Sequence, residues 1–463
     1  MPPVPAPRNP APPASPAREV EVEATDLDDA GAGVAATAAG AVHVRELVPG
    51  ERAVVAIEHR SPHRAQAWGR VVRRLGPLSG DRTTPACPAF GRCGGCAWQH
   101  VAYPAQLVHK RARVERALAG VVAPGAVAAV APSPAELCYR HKGKYVAGRV
   151  AGAAGGALVL GAFAPRSHDL VDTAGCRVVA PLIDALRGQV VAAARTAGLA
   201  PWDERARAGA LRYVIVRATR RQQALVVLVV RRDAPPPAVA AVARAVAADP
   251  RVAGVVRVDN DRADGALLDG DAPGEVLVGA GAVTDTVAGV AVELGAGEFA
   301  QVNPDQADAL YARVAARVGP GDGVVADVYA GLGGIAFALA SAGARVVAIE
   351  RHAGAVAAMR RAAAGAGLAA RLEARAGDAA TLAAIPDLRA VVVNPPRKGL
   401  APEVIAALAA SAAGRAVYVS CGPESLGRDL RALAGHGFAV ASVEPFDLMP
   451  GTSQVETVVT LAR

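Results

Sequence analysis

Aromatic residues are scarce in this 463-residue chain, at 3% of the total. Any surface that stacks on bases or sugars must therefore rest on few side chains. Cysteine is also scarce. Six residues in this length are too few for a disulfide scaffold, although three of them fall within ten positions. Lysine occurs four times (Lys110, Lys142, Lys144, Lys398), so arginine carries nearly all the positive charge. No uncharged apolar stretch of membrane-spanning length is free of Pro or Gly, and the N-terminus lacks the basic start and apolar core of a signal peptide. These absences argue against a secreted disulfide scaffold and a membrane protein, and predict a soluble, cytoplasmic chain. What is present is a globular composition, 52% apolar and 20% charged, with a net charge of +8. That balance favours a polyanionic partner, and the length allows two to four domains with cores of their own.

The first seventeen residues contain eight prolines and read as an extended, disordered tail over 1–17. From Arg18 to about Leu75 short alternating runs are separated by Gly and Pro-Gly turns, as in "GAVHVRELVPGERAVVAIEHR". About five such strands fit a small closed barrel of the oligonucleotide-binding type, taken as a domain over 18–78. Its basic end, Arg60, Arg64, Arg70, Arg73 and Arg74, could track phosphates; a generic solvated β-domain is the plain alternative. Residues 79–292 follow as a central α+β domain. In it "QLVHKRARVERALAG" is helical, "ALRYVIVRAT" and "QALVVLVVRR" form a hairpin, and "PPAVAAVARAVAADP" is a Pro-started helix.

From Glu293 helices and strands alternate, which predicts an open, mostly parallel, Rossmann-like α/β sheet over 293–463. Asn303 caps a helix, Pro304 opens it, and Ala307, Leu310, Tyr311, Val314 and Val318 share one face. In "DVYAGLGG", Gly331, Gly333 and Gly334 let backbone approach a ligand at a helix N-terminus. Glu350 closes the next strand, nineteen residues after Gly331, where an acid hydrogen-bonds ribose hydroxyls. Turn and acid fit a nucleoside-bearing cofactor, NAD or S-adenosylmethionine alike; a packing turn beside a solvated Glu is the bland reading. "NPPRKG" stiffens a loop at the carboxyl end of an apolar strand, and Asn394 offers both a donor and an acceptor there.

"VYVSCGPESLGRDL" places Cys421 where a strand gives way to a helix, a position that exposes a thiol and lowers its pKa through the helix N-terminus. The bland fate of a free Cys is a small core residue. Glu456 supplies a late carboxylate in a strand-like run. A thiol and a carboxylate at one cleft suit methylation of uracil carbon 5. Thiolate addition to carbon 6 makes carbon 5 nucleophilic toward a sulfonium methyl, and a base then removes the carbon-5 proton.

On these blocks the chain resembles the uracil-C5 (5-methyluridine) RNA methyltransferases that use S-adenosylmethionine. The resemblance runs through "CPAFGRCGGCAWQHVAYPAQLVHK", "YRHKGKYV", "SHDLVDTAGC", "LRYVIVR", "EFAQVNPDQADALY", "DVYAGLGG", "NPPRKG", "YVSCGPESLGRDL" and the terminal "VET". It makes the barrel similar to a TRAM domain. It implies Cys421 as nucleophile and Glu456 as base, with Gln301, Tyr329, Gly334, Glu350, Asp378 and Asn394, beside Gly331, at the cofactor. Several positions depart from the family's common pattern. Asn394 stands for a frequent Asp, Ala330 for Cys and Gly334 for Asn, while "CGP" replaces "CNP" and "SQVE" replaces "HVE".

Cys87, Cys93, Cys96 and the distant Cys176 can enclose a [4Fe–4S] cluster or hold tetrahedral zinc. Spacing leaves both open, and the resemblance implies the cluster. Cys138 is left over as a core residue. The expected partner is RNA, ribosomal RNA before transfer RNA, engaged by a monomer that flips a uridine from its stack. Two other readings compete. An amino-group methyltransferase usually carries an aromatic after the prolines, where this chain has Arg397, and needs no thiol. A non-catalytic RNA-binding protein with a worn cofactor fold has no use for Cys421 or Glu456.

Overall fold

Alternation over the barrel segment becomes six strands, one more than the spacing suggests: Glu19–Glu23, Asp26–Leu27, Gly33–Thr37, Gly40–Val44, Arg52–Arg60 and Gln66–Leu75. The computed structural model describes residues 19–150, 156–204, 206–262 and 274–463, so the tail expected over 1–17 lies outside the described residues. Glu19–Glu23 and Asp26–Leu27 stand at opposite ends of the strand order yet are joined by only Ala24 and Thr25. The sheet therefore curls back on itself, which removes its edges. Its interior is filled by small and β-branched residues, among them Val22, Ala35, Val44, Val55 and Ala67. Glu51 is buried beside them; its carboxylate accepts from Arg74 at 2.8 Å and from Arg82 at 2.6 and 2.7 Å. This unit runs to Thr84 and includes His100–Ala102.

The second compact unit holds Pro85–Gln99 and everything from Tyr103 on. Its first sheet has seven strands, in the order Glu275–Gly279, Val252–Asp259, Ala224–Val230, Leu211–Ala218, Lys142–Arg149, Leu158–Phe163, Leu170–Asp172. The expected hairpin is its centre: Leu211–Ala218 and Ala224–Val230 pair antiparallel. Helices Pro181–Thr196 and Pro236–Ala247 bury their apolar stripes against it. A further helix, Tyr103–Ala117, follows the cysteine-rich segment.

The second large sheet is the one the βα rhythm predicts. Its strands are β1 (Val324–Val328), β2 (Arg345–Glu350), β3 (Leu372–Ala376), β4 (Leu388–Val393), β5 (Arg415–Ser420), β6 (Ala439–Phe446) and β7 (Glu456–Ala462), in the order β3-β2-β1-β4-β5-β7-β6. β1 to β5 are mutually parallel, and every residue of β1 is buried, as expected of a strand covered on both faces. β7 runs antiparallel to both its neighbours. Helix α1 (Pro304–Val318) starts as read: the Asn303 side chain accepts from Gln306 N–H, and the five expected apolar residues are buried. Helices α2 (Gly334–Ser341), α3 (Ala353–Gly365), α4 (Pro402–Ala410) and α5 (Pro423–Ala434) cover the sheet. Among the described residues no helix is long and apolar enough to cross a membrane.

Candidate active site

In an open α/β sheet the carboxyl ends of the strands form a crevice where the strand order reverses, here between β1 and β4. The Gly-rich turn leaves β1 at that point, Glu350 ends β2, Asn394 follows β4 and Cys421 follows β5. Glu456 arrives from the other direction. Because β7 is antiparallel, its first residues lie beside the last of β5, with Thr457 opposite Ser420. That reversal is what brings Glu456 to Cys421. A cavity of about 640 Å³ opens there. Cys421, Glu456, Gln301, Tyr329, Gly331, Gly334, Glu350 and Asn394 all line it. Asp378 does not. It caps the turn after β3, accepting from Ala380 N–H at 3.0 Å and from Arg351 at 2.7 Å.

The turn after β1 is shaped for close approach. Gly331 and Gly333 have φ of +54° and +92°, and Tyr329 holds +64° without being glycine, a strained conformation of the kind found at ligand sites. Glu350 Oε2 accepts from Gly331 N–H and its Oε1 from His352 N–H, both at 2.9 Å. The acid thus braces the turn while lining the cavity. A Cβ on Gly334 would lie 2.6 Å from the Tyr311 ring. Tyr311 fills the space an Asn side chain would take, so the departure at Gly334 is compensated by packing. Beneath the turn Asp327 is wholly buried. Burial lifts its carboxyl to about 8, with the Glu350 charge adding to the rise and the Ala336 N–H opposing it.

At the other wall the structure corrects one expectation. Helix α5 does begin beside Cys421, at Pro423, but the thiol is not activated by position alone. Burial pushes its pKa up, and the Glu456 charge pushes the same way. The nearby Arg397 guanidinium pulls it down. Burial likewise pushes Glu456 up to about 7, again moderated by Arg397. Arg397 also donates to Gln454 at 3.3 Å, so the "SQVE" departure supplies it with an acceptor. A Cβ at Gly422 would sit 2.8 Å from the Ser425 hydroxyl and 3.2 Å from the Arg397 carbonyl, which explains why glycine suits that position here. Arg397 is the functional candidate that sequence reasoning passed over; its signal was a cation directly after "NPP" at a strand's carboxyl end.

Cys87, Cys93, Cys96 and Cys176 come from two separate segments, near enough for their charges to act on Cys93 and Cys96. Burial raises Cys93, and the charges of Cys176 and Cys87 raise it further; Cys96 is pushed up to about 12 by burial, then by Cys176, Cys93 and Cys87. Among the described residues, however, no group of three or more His, Cys, Asp or Glu side chains is arranged as a metal-holding set. Cys138 is exposed, with φ of +56°, and is not the core residue expected.

A doubly wound sheet with a glycine turn, an acid closing the next strand, and a thiol and a carboxylate lining one cavity gives the chain a Rossmann-like methyltransferase architecture. Residues 290–417 match the methyltransferase small domain, and residues 384–463 match tRNA (Uracil-5-)-methyltransferase. The chain is 31% identical over 453 residues to an RNA methyltransferase of Halalkalibacterium halodurans and 32% identical over 453 residues to one of Gloeobacter violaceus, covering 96% of each pair. The fold is also that of the Pyrococcus abyssi tRNA (uracil-54, C5)-methyltransferase solved with S-adenosyl-L-homocysteine, with a TM-score of 0.75 and 22% identity over 96% of this chain and all of that one. The chain belongs to the family of these RNA methyltransferases, and its C-terminal part carries the tRNA (Uracil-5-)-methyltransferase match.

Proposed function

We propose that the enzyme methylates carbon 5 of a uridine in RNA through a covalent bond between Cys421 and carbon 6. The observation that supports it best is the enclosure of Cys421, Arg397 and Glu456 in the same cavity as the glycine turn. S-adenosylmethionine supplies an electrophilic methyl group. Gln301, Tyr329, Gly331, Gly334, Glu350 and Asn394 are proposed to hold it, with Asp378 contributing from outside the cavity wall. Arg397 favours the Cys421 thiolate. The thiolate attacks carbon 6, forming the S–C6 bond, and the C5=C6 π electrons move onto the 4-carbonyl. Carbon 5 then takes the methyl group, and the electrons of the broken bond stay on the donor sulfur. Glu456, as carboxylate, removes the carbon-5 proton; that C–H pair rebuilds C5=C6 and the S–C6 pair returns to sulfur. A pKa near 7 suits a base working at neutral pH. Incubation with labelled S-adenosylmethionine and RNA should place label on uridine, and 5-fluorouridine RNA should trap a denaturation-resistant adduct on Cys421. Label on an exocyclic amine, or no adduct, would sink the reading.

Ribosomal RNA is the favoured target, with transfer RNA second; mass mapping of RNA from a deletion strain decides between them. The barrel is proposed as a TRAM-type RNA-binding domain. We further propose that Cys87, Cys93, Cys96 and Cys176 hold a [4Fe–4S] cluster, zinc being the competing occupant. What supports the proposal is that the charges of the other cysteines act on Cys93 and Cys96, an effect a bound cationic centre would relieve; the described side chains are not arranged as a ligand set, so binding would have to draw them together. Such a centre would cross-link the two segments rather than take part in methyl transfer.

A further inference from the structure

Glu456 enters the cavity at the end of an irregular segment, residues 447–455, that joins β6 to β7. Backbone in such a segment usually turns to water. Here it is gripped by side chains from far away in sequence. Gln106, Lys110 and Arg113 stand on one face of helix Tyr103–Ala117, at spacings of four and three. Lys110 Nζ donates to Asp447 Oδ1 at 2.6 Å and to the Met449 carbonyl at 3.1 Å. Gln106 Oε1 accepts from Gly451 N–H at 2.8 Å, and Arg113 donates to the Ser453 carbonyl at 3.0 Å. Trp98 N–H donates to the Gly451 carbonyl at 2.8 Å, and Tyr139 to the Pro450 carbonyl at 3.0 Å.

Lys110 and Asp447 are both 0% exposed. A buried ion pair of this kind is weak evidence for stability, since apolar residues of similar size often serve as well or better. What the pair and its neighbours do supply is geometry: almost every residue between Asp447 and Ser453 is tied to a fixed donor or acceptor. We propose that Gln106, Lys110 and Arg113 are positioning residues that set Glu456 for removal of the carbon-5 proton, and that loosening them slows release of product more than formation of the adduct. The proposal rests on the reading of Glu456 as the base. It also gives the scarce lysine at 110 a purpose that helix propensity does not require.

The test is single-turnover methylation with labelled S-adenosylmethionine, following appearance and decay of the methylated, denaturation-resistant protein–RNA adduct. Arg113→Met leaves the buried pair intact and should fold. Lys110→Met combined with Asp447→Leu removes both charges together and is the second variant, with thermal unfolding and S-adenosylhomocysteine binding as fold controls. Displacement of a reacting group by about an ångström costs up to about a hundredfold. Decay of the adduct is therefore expected to slow about ten- to a hundredfold in Arg113→Met while its formation keeps the unmutated rate. Arg113→Lys, which can still donate to Ser453, should restore decay. Unmutated decay in Arg113→Met, or equal slowing of both phases, overturns the proposal. Glu456→Ala is run in parallel. If it decays normally, the base assignment has failed and the clamp has nothing to position. If it stalls while the clamp variants decay normally, the clamp alone is wrong.

Discussion

Two glutamates, Glu51 buried in the barrel and Glu456 half-buried at the cavity wall, meet opposite fates in the two units of this protein. In the barrel Glu51 is surrounded by donors: burial alone would raise its carboxyl, but Arg82 and the Val48 and Ser79 amides outweigh burial and hold it at about 2. In the cavity Glu456 has burial and little else, with only Arg397 in opposition, and it rises to about 7. The same residue type is therefore a structural anion in one place and a candidate base in the other. The difference teaches that satisfaction, not burial, separates the two: an acid with its donors complete is locked as carboxylate, and one left incomplete can move a proton.

The sharpest way to exploit that difference is to remove the proposed catalytic pair. Cys421→Ala should abolish methylation and form no RNA adduct while still binding S-adenosylmethionine. Glu456→Ala should add thiolate and transfer methyl, then stall as a covalent methylated species visible on a denaturing gel. Uridine methylation by Cys421→Ala would end the mechanism.

Neutral isosteres should then shift stability in opposite directions. For Glu51 the folded pKa lies below the ordinary 4.5, so its contribution is complete above pH 4.5 and fades as pH falls toward 2. Glu51→Gln should cost about 2–4 kcal/mol at neutral pH, because Arg82 and Arg74 lose their partner. For Glu456 the folded pKa lies above 4.5, so the native state pays a growing penalty as pH rises from 4.5 to 7. Glu456 keeps part of its surface open to the cavity, which limits that penalty. Glu456→Gln should gain about 1–3 kcal/mol at pH 8 and nothing below pH 4.5. Thermal unfolding across pH reads both, and a parallel response of the two variants would erase the contrast. In the unmutated enzyme, adduct decay should rise with pH, reach half its maximum near pH 7 and level off above it, as the carboxylate fills.

How much of this was legible beforehand follows from where each signal lies. Strand alternation, the glycine turn and the Asn303–Pro304 cap are local, and the structure keeps them. The meeting of Cys421 with Glu456 depends on β7 running antiparallel, which no local pattern states. In the sequence Arg397 shows only as a missing aromatic, because its value lies in neighbours at 421 and 456. The helix dipole expected to activate Cys421 is a local effect, and burial, a tertiary one, overrides it. Gln106, Lys110 and Arg113 looked like an ordinary helix face, since their partners lie more than 330 residues away.

Occupancy of the cysteine set is a smaller test of the same idea, that groups left unsatisfied mark function. Protein purified without air should be brown and carry iron and sulfide; colourless protein with stoichiometric zinc would replace the cluster proposal. Cys87→Ala should lower yield or melting temperature more than the chemical step.

The smallest expected effect concerns the barrel's arginines, and it divides them as Glu51 and Glu456 divide the acids. Of the five read as a phosphate track, Arg74 is committed to Glu51 and to the Glu46 carbonyl, and Arg70 pairs with Glu58 at 3.2 Å. Arg60, Arg64 and Arg73 stay exposed. Only cations that release counterions from RNA steepen the salt dependence of binding, by about 0.7–0.9 per phosphate neutralised. Changing Arg60, Arg64 and Arg73 together to Ala should therefore flatten the slope of log affinity against log salt by about two to three, with barrel stability unchanged. Arg74→Ala should do the reverse, costing stability and leaving the slope alone. A salt slope that ignores the triple change would mean that the barrel's basic end does not touch RNA.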